Sequence, residues 1–250
     1  MRLLGLDVET TGLDWKKERI LEIGISLHEA GDAVYLHQNT WTLCDDEIRK
    51  RLPLSQEIKA LTGLRDEAVT EFGIHPATAY RELDAYCVER KVDFIVAHNG
   101  NNFDRPFILH ELDELKIEAP CFRKLPWLDT RRDIVYAEGE EPRQRSLEHL
   151  LAKKRFIPAI SHRALSDAEN TMWLLSHYDI NAIIEYAKIP WKVVQAVVHY
   201  DDREVAKANG YSWQELNHKI YPKAWVKLVK ENELEAEAKK FPAHSIRVLE

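Results

Sequence analysis

The sequence predicts an α/β fold, a mixed sheet flanked by helices, followed by a smaller α+β module. Three apolar, β-rich segments come first, at residues 2–8, 20–28 and 33–43, with a short Ala-Gly-Asp turn between the last two. This arrangement predicts an antiparallel meander of three strands. Another apolar run at 94–97 lies between helical segments, and a rhythm of one strand and one helix is typical of a mixed α/β sheet.

Helices follow the meander and flank the fourth strand. The predicted segments are 55–62, 76–90, 104–116, 146–153 and 164–178. In the last of these, apolar side chains recur at the spacing that places them on one helix face.

The pattern changes after about residue 180. A helical segment at 181–190 ends at a proline, a β-rich run covers 193–200, and a short helix is predicted to stop at Asn209-Gly210. Residues 223–230 fit either a strand or a short helix.

The predicted domain boundary lies near residues 185–191, which gives a large domain at 1–185 and a small accessory one at 191–250. Residues 181–250 carry 11 Lys+Arg and 10 Asp+Glu, a net charge of +1, whereas residues 1–180 carry −8. The two parts therefore differ in charge as well as in pattern.

Composition indicates an ordinary globular protein. The 250 residues carry a formal net charge of −7, and 45% are hydrophobic against 31% charged, which argues against a disordered or fibrous chain. The apolar runs are too short for a membrane span, no signal peptide is visible, and three separated cysteines indicate no disulfide framework. We therefore expect a cytoplasmic protein, and the acidic balance argues against binding of nucleic acid by bulk charge.

Two carboxylates, Asp7 and Glu9, come at the end of the first predicted strand. Residues i and i+2 of a strand point to the same face, so these carboxylates converge. Like charges held close together repel unless a cation lies between them, and Mg²⁺ or Mn²⁺ prefers oxygen ligands. The alternative is an exposed acidic strand end that binds nothing.

Two further carboxylates lie at the starts of predicted helices. Asp104 opens a helix after a buried strand, where it could act only as a cap, and Asp167 lies in the first turn of the long helix, five residues after His162. Asp129 ends a short apolar run and is predicted to be structural.

Taken in order, these residues resemble the DnaQ-like superfamily of proofreading exonucleases, in its DEDDh type. The resemblance covers residues 1–180, and the His-x4-Asp spacing favours the histidine subclass, with a middle motif similar to the TREX-type branch. The matching segments are LDVETTGL at 6–13, AHNGNNFDRPFI at 97–108 and HRALSDAENTMWLL at 162–175, supported by LTGL at 61–64, LDT at 128–130 and SLEHLL at 146–151.

The resemblance implies a ribonuclease-H-like fold with a five-stranded mixed sheet, and two-metal removal of nucleotides from 3′ ends as 5′-mononucleotides. Two Mg²⁺ or Mn²⁺ ions would lie between four carboxylates. Asp7, Glu9 and Asp167 would hold one ion, and Asp7 and Asp104 the other. Histidine titrates near neutral pH, so His162 is the predicted general base.

The resemblance also implies substrate contacts. The turn after the first strand would meet the terminal nucleotide, with Leu13 as an apolar wedge against its base, although Leu13 could instead be core packing. The predicted substrate-binding residues are Thr10, Thr11, Gly12, Leu13, Leu61, Thr62, Asn99, Phe103 and His162.

The C-terminal segment mixes aromatic and basic residues, a combination that suits single-stranded nucleic acid. The alternative is that the aromatic residues form the core of a small domain. The residues concerned are Trp213, Tyr221 and Trp225 with Lys219, Lys223, Lys227 and Lys230.

The function predicted from the sequence is a Mg²⁺- or Mn²⁺-dependent 3′→5′ exonuclease acting on DNA, with single-stranded or frayed 3′ ends preferred. The alternatives are a 3′→5′ exoribonuclease and, from another class, a non-catalytic nucleic-acid-binding scaffold. The expected partner is nucleic acid rather than membrane, with a homodimer or a polymerase or repair partner left open. Proofreading, repair and phage or defence roles fit the sequence equally.

Overall fold

The computed structural model of the protein describes residues 1–137, 140–216, 222–241 and 245–249. The chain divides into two compact units, Met1–Ile184 and Glu185–Glu250. No helix in the described ranges is long and apolar enough to cross a bilayer.

In the described part of the first unit, five strands form one mixed sheet in the order β3-β2-β1-β4-β5. β1 pairs antiparallel with β2, and β2 with β3, whereas β4 pairs parallel with β1 and with β5. The predicted meander and mixed sheet are therefore confirmed. The strands are β1 (Arg2–Thr10), β2 (Ile20–Glu29), β3 (Tyr35–Thr42), β4 (Phe94–Ala97) and β5 (Trp127–Asp129).

Helices flank this sheet. They are α1 (Asp46–Arg49), α2 (Gln56–Thr62), α3 (Asp66–Phe72), α4 (Pro76–Glu89), α5 (Asp104–Glu114), α6 (Pro120–Lys124), α7 (Leu147–Lys153) and α8 (Ala164–Leu175). The next helix, α9 (Ile180–Lys188), begins in the first unit and ends in the second. The helices predicted from the apolar pattern are all present, although α8 ends three residues earlier than expected. The short α1, α3 and α6 were not predicted. α1 and α6 have only four and five residues, too few to show a helical period.

The central strand β1 is buried along almost its whole length, and its apolar side chains join those of β2 in the main core. Burial on both sides explains why β1 is a continuous apolar run and not an alternating one. It also gives the two carboxylates of this strand a rigid base.

Helix α8 lies directly on β1 and β2, where two glycines allow the close approach. A Cβ on Gly24 would lie 2.1 Å from the backbone nitrogen of Leu165, and one on Gly5 would lie 2.4 Å from Cγ of Met172. The apolar face of α8 faces this contact, with Ala168 and Met172 buried. The first turn of α8 is therefore fixed against the strand that carries Asp7 and Glu9.

The second unit contains an antiparallel sheet in the order β7-β8-β6-β9 within its described residues. Residues 223–230, for which the sequence left two alternatives open, form a strand. The elements are β6 (Trp191–Val197), α10 (Arg203–Ala208), β7 (Ser212–Glu215), β8 (Lys223–Lys230), α11 (Leu234–Lys239) and β9 (Ser245–Leu249). The core of this unit comprises Val194, Ala196, Ala206, Tyr211, Val229 and Phe241.

Candidate active site

Asp7 and Glu9 lie on one face of β1, as their spacing predicts. In the antiparallel register Asp7 lies opposite Gly24 and Glu9 opposite Glu22. Asp167 joins them from the first turn of α8, and one carboxylate oxygen of each of the three residues lies within 4.8 Å of the others. The sheet and the helix thus bring together residues that are 160 positions apart in the chain.

His162 lies immediately before α8 and is tied to Asp167 through its backbone. The His162 N–H donates to Oδ2 of Asp167 at 3.0 Å, and Asn170 Nδ2 lies 3.5 Å from Oδ1. The backbone of His162 has φ +58°, in the left-handed region that non-glycine residues rarely adopt. The turn before α8 therefore orients the carboxylate of Asp167 and presents the half-exposed imidazole of His162 beside it.

Asp104 begins α5 and is buried next to this group. Its Oδ1 accepts a hydrogen bond from the backbone N–H of Val8 at 3.0 Å, and Val8 lies between Asp7 and Glu9 in β1. Asp104 is therefore more than a helix cap, because its carboxylate fixes the end of α5 to the strand of the other two acids.

The site destabilises the charged forms of the four carboxylates. Burial, followed by the charges of Asp104, Asp167 and Glu9, raises the pKa of Asp7 well above its usual value. Burial raises the pKa of Glu9 to about 8 and that of Asp104 to about 7, and burial also raises the pKa of Asp167. Burial and the convergence of like charges both disfavour the charged form of a carboxylate, and burial is the larger cause here.

This arrangement fits divalent metal ions. Each residue offers a carboxylate oxygen, which Mg²⁺ and Mn²⁺ prefer, and a cation would relieve the repulsion that raises the pKa values. The alternative of an exposed acidic strand end does not fit the structure, because Glu9 is buried and Asp7 is partly buried.

Three charged residues at the site were not singled out from the sequence. Glu148 of α7 places Oε1 3.8 Å from Nε2 of His162. Glu22, which is buried beside Glu9 on the neighbouring strand, accepts hydrogen bonds from Arg163 Nη2 at 2.6 Å, Arg163 Nε at 3.1 Å and the Ala164 N–H at 3.1 Å. Only the register of β1 with β2, which sets Glu22 opposite Glu9, could have drawn attention to Glu22.

In the turn after β1, the threonine hydroxyls form hydrogen bonds to nearby residues of the same segment, whereas the apolar side chain of Leu13 is exposed. Thr10 Oγ1 donates to the carbonyl oxygen of Gly12 at 2.6 Å, and Thr11 Oγ1 donates to Glu18 at 2.6 Å. Leu13 is 85% exposed, so its alternative role in core packing is wrong. The threonines therefore shape the turn, and Leu13 is the side chain free to meet a ligand.

Of the predicted substrate-binding residues Leu61 and Thr62, only Leu61 exposes its side chain. Leu61 is half exposed, whereas Thr62 is buried, donates through Oγ1 to the Ile58 carbonyl at 2.8 Å and accepts from the Leu64 N–H at 3.1 Å. The structure thus gives Thr62 a role in ending α2 and offers no support for its predicted substrate contact.

Asn99 and Phe103 lie in the segment between β4 and α5. Asn99 has φ +67°, its N–H donates to Oδ1 of Asp129 at 2.9 Å, and its side-chain oxygen accepts from Asn102 at 2.9 Å. Asp129 also accepts from the N–H groups of Asn101 and Arg131. Asp129 was predicted to be structural, and its hydrogen bonds hold this loop. Phe103 packs its ring against that of Phe107.

The chain matches one known family by sequence. A sequence model of the exonuclease family RNase_T matches residues 4–175. A search of curated proteins by sequence finds no match.

Several solved structures are similar in fold. The nuclease domain of 3′hExo, a DEDDh family member bound to rAMP, has a TM-score of 0.58 at 17% identity, covering 70% of this chain and 90% of that one. A 3′-exonuclease that recognises the histone mRNA stem-loop has a TM-score of 0.57 at 14% identity, covering 70% and 80%. E. coli exonuclease I with a dA16 oligonucleotide has a TM-score of 0.60 at 13% identity, covering 98% of this chain and 65% of that one.

At such low sequence identities, the similarity to these structures shows only a shared fold. That fold is the ribonuclease-H-like α/β architecture of DEDDh exonucleases, and it confirms the predicted fold class. The family model covers more than half of the chain and spans β1, α5 and α8, which carry the converging carboxylates. The protein therefore belongs to the RNase_T family of exonucleases, within the DnaQ-like superfamily that its motifs resemble.

Proposed function

We propose that the protein is a metal-dependent 3′→5′ exonuclease that releases 5′-mononucleotides from DNA, with single-stranded or frayed 3′ ends preferred. The observation that carries this proposal is the convergence of Asp7, Glu9 and Asp167 within 4.8 Å, beside His162. Membership of an exonuclease family supports it.

The carboxylates are the proposed ligands of two Mg²⁺ or Mn²⁺ ions. Asp7, Glu9 and Asp167 would hold one ion, and Asp7 and Asp104 the other. When bound, such ions stabilise the attacking and leaving oxygens of a displacement at phosphorus. The Val8 N–H fixes Asp104, and the His162 N–H fixes Asp167, so both acids are oriented before a ligand arrives.

His162 is the proposed general base, which takes the proton from the attacking water. Its half-exposed imidazole is free of the backbone contact that fixes Asp167, because that contact uses the His162 N–H. The carboxylate of Glu148 lies 3.8 Å from Nε2 of this ring.

The exposed apolar side chains of Leu13 and Leu61 are the proposed contacts for the terminal nucleotide. Thr10, Thr11 and Gly12 would act through the turn that presents Leu13, and Asn99 and Phe103 through the loop held by Asp129. We propose residues 1–185 as the catalytic domain and residues 191–250 as an accessory one.

RNA is the second candidate substrate. Two of the similar structures are described with rAMP and with a histone mRNA stem-loop, and a third with a DNA oligonucleotide, so the fold serves both sugars. A homodimer or a polymerase or repair partner would be compatible with either substrate.

The test uses oligonucleotides of DNA and RNA labelled at the 5′ end, single-stranded or duplex, with Mg²⁺, Mn²⁺ or EDTA. We expect a ladder of shortened labelled strands and 5′-mononucleotide products in the presence of metal only. Asp7→Asn should abolish the ladder, whereas the matched control Glu89→Gln, at an exposed position at the end of α4, should retain it.

Loss of the 5′ label as mononucleotide would show the opposite direction, and degradation in EDTA would contradict the metal requirement. A protein that binds every oligonucleotide and shortens none would be the scaffold.

A further inference from the structure

The second unit contains a cavity of about 340 Å³ that none of the catalytic residues lines. Its walls combine three aromatic rings and two cationic side chains, and they are Tyr200, Arg203, Lys207, Trp213 and Trp225. All five belong to the described residues of this unit.

The rings are arranged to receive a planar group. Trp213 of β7 and Trp225 of β8 are direct cross-strand partners, with ring centroids 5.6 Å apart at 59°. Trp225 also packs on the core of the unit, which anchors the pair. Trp213 is 56% exposed and Tyr200 74% exposed, so large ring faces remain open to solvent.

Both cations belong to helix α10, which lies beside the rings. The Arg203 guanidinium lies 4.4 Å from the Tyr200 ring centroid, and Lys207 Nζ lies 5.9 Å from that of Trp225. Arg203 Nη1 also donates to the Tyr200 carbonyl oxygen at 3.0 Å, which ties its position to that ring.

The lysines that the sequence associated with these aromatics are mostly used elsewhere. Lys230 is buried, Lys227 donates to the buried carboxylate of Glu237 at 2.9 Å, and Lys223 pairs with Glu215 at 2.6 Å. Lys219 and Tyr221 lie outside the described residues. The cations that lie beside the aromatic rings are therefore not the predicted lysines. They are Arg203 and Lys207 of α10.

We propose that this cavity binds a nucleotide of single-stranded nucleic acid, with the base stacked on Trp213 and the phosphate beside Arg203 and Lys207. Every base has an aromatic face, so such a site holds a strand without reading its sequence. The inference rests on the proposed function for its choice of ligand, because it gives an exonuclease a second contact with its substrate.

Stacking is the main contribution. Lys207 is paired with Glu204 at 2.7 Å, and Asp201 and Asp202 belong to the same turn as Tyr200, so little net positive charge faces the phosphate. We therefore expect binding here to depend strongly on the rings and only weakly on salt, in contrast to a basic groove.

The test measures binding of fluorescein-labelled dT20 by anisotropy, with the full chain in EDTA so that no strand is cleaved. Trp213→Ala and Tyr200→Ala should each raise Kd by roughly 5- to 150-fold, and Trp213→Phe should retain most of the affinity. Tyr35→Ala, which removes a half-exposed ring in the first unit, is the matched control and should leave Kd unchanged. A blunt duplex of equal length should compete poorly, because its bases are already stacked.

The second readout is hydrolysis of the p-nitrophenyl ester of thymidine 5′-monophosphate with Mn²⁺, a substrate small enough to occupy the active site alone. Its rate should be unchanged in both alanine variants. Should Trp213→Ala lower the melting temperature, Tyr200→Ala decides the test, because Tyr200 lies in a surface turn.

Affinities for dT20 within twofold of wild type in both alanine variants would overturn the inference while leaving the proposed function intact. Conversely, Trp213-dependent binding by a protein that cleaves neither ester nor oligonucleotide would refute the proposed function and retain this site.

Discussion

Arg163 and Glu22 form a bidentate ion pair beside Glu9, with Nη2 2.6 Å from Oε1 and Nε 3.1 Å from Oε2. Glu22 also accepts the first helical N–H of α8, from Ala164. One buried carboxylate thereby fixes both the residue after His162 and the start of the helix that carries Asp167.

Replacing Arg163 tests this relationship. Arg163→Met leaves a buried carboxylate without its cation, and we expect a loss of about 2 kcal/mol of unfolding free energy. This is below the usual cost for a fully buried pair, because Arg163 is partly exposed. Urea denaturation measures it, and the double variant Glu22→Gln/Arg163→Met should recover part of the loss.

The single variant Arg163→Met should also change the pH profile of nuclease activity. Burial raises the pKa of Glu9 to about 8, and the charge of Arg163 counteracts part of that rise. Without Arg163 the acidic limb of the profile should move to higher pH, whereas Arg163→Lys, which keeps the charge, should leave it in place. Identical profiles for the methionine and lysine variants would refute an electrostatic role for Arg163.

Asp7→Asn should stabilise the metal-free protein at alkaline pH. The folded pKa values of Asp7 and Glu9 are raised, so the stability associated with these groups is present below about pH 4.5 and is lost as pH rises towards 8. In EDTA at pH 8 the variant should therefore gain about 1–3 kcal/mol over wild type. The gain should shrink at pH 5.

Thermal melting in EDTA across this pH range measures the effect. Mn²⁺ should then raise the melting temperature of the wild type more than that of Asp7→Asn. Parallel pH curves for the two proteins would show that repulsion at Asp7 is not what destabilises the metal-free form.

Variants of His162 and Asp167 should distinguish loss of catalysis from loss of metal binding. His162→Asn should lower kcat by roughly 10²- to 10⁴-fold, since it removes the proposed base, yet keep the melting-temperature rise caused by Mn²⁺. Asparagine is chosen because it tolerates the left-handed backbone at this position. Asp167→Asn should reduce both properties, and a His162→Asn variant that no longer responds to Mn²⁺ would contradict the division of roles.

Lys230 should be a structural residue of the second unit. Its buried Nζ donates to the carbonyl oxygens of Tyr186 at 2.9 Å, Ala187 at 3.3 Å and Ile189 at 2.9 Å, which satisfies the end of α9. Lys230→Met should cost about 2–4 kcal/mol, because it leaves these carbonyls without the ammonium donor. Hydrogen–deuterium exchange in β8 should accelerate, and the exposed Lys223→Met should show no such change.

The sequence was informative wherever neighbouring residues act together. A continuous apolar run ending in Asp-x-Glu predicted both the buried β1 and the shared face of Asp7 and Glu9, because strand geometry depends on adjacent residues. The apolar pattern of the helix predicted at 164–178 likewise placed the carboxylate of Asp167 in its first turn. The ordered motifs then identified the superfamily and, with it, the mixed sheet.

The same local information was misleading for single side chains. Thr62 lies in a recognisable motif, but its hydroxyl is buried and bonded within α2. Lys227 and Lys230 alternate with aromatic residues in a way that is typical of a nucleic-acid surface, yet one meets a buried carboxylate and the other ends a helix. Burial depends on which element packs above a residue, and no short pattern contains that information.

The sequence by itself therefore determined the fold class, the longer elements of the first unit and the set of converging acids. Only the tertiary structure decided how that set is held. Glu22 and Arg163 are 141 positions apart, and Asp104 reaches Val8 across 96. These contacts depend on strand register and on the close approach of α8 to Gly24, because partners distant in the chain meet only when the sheet and its helices are packed together.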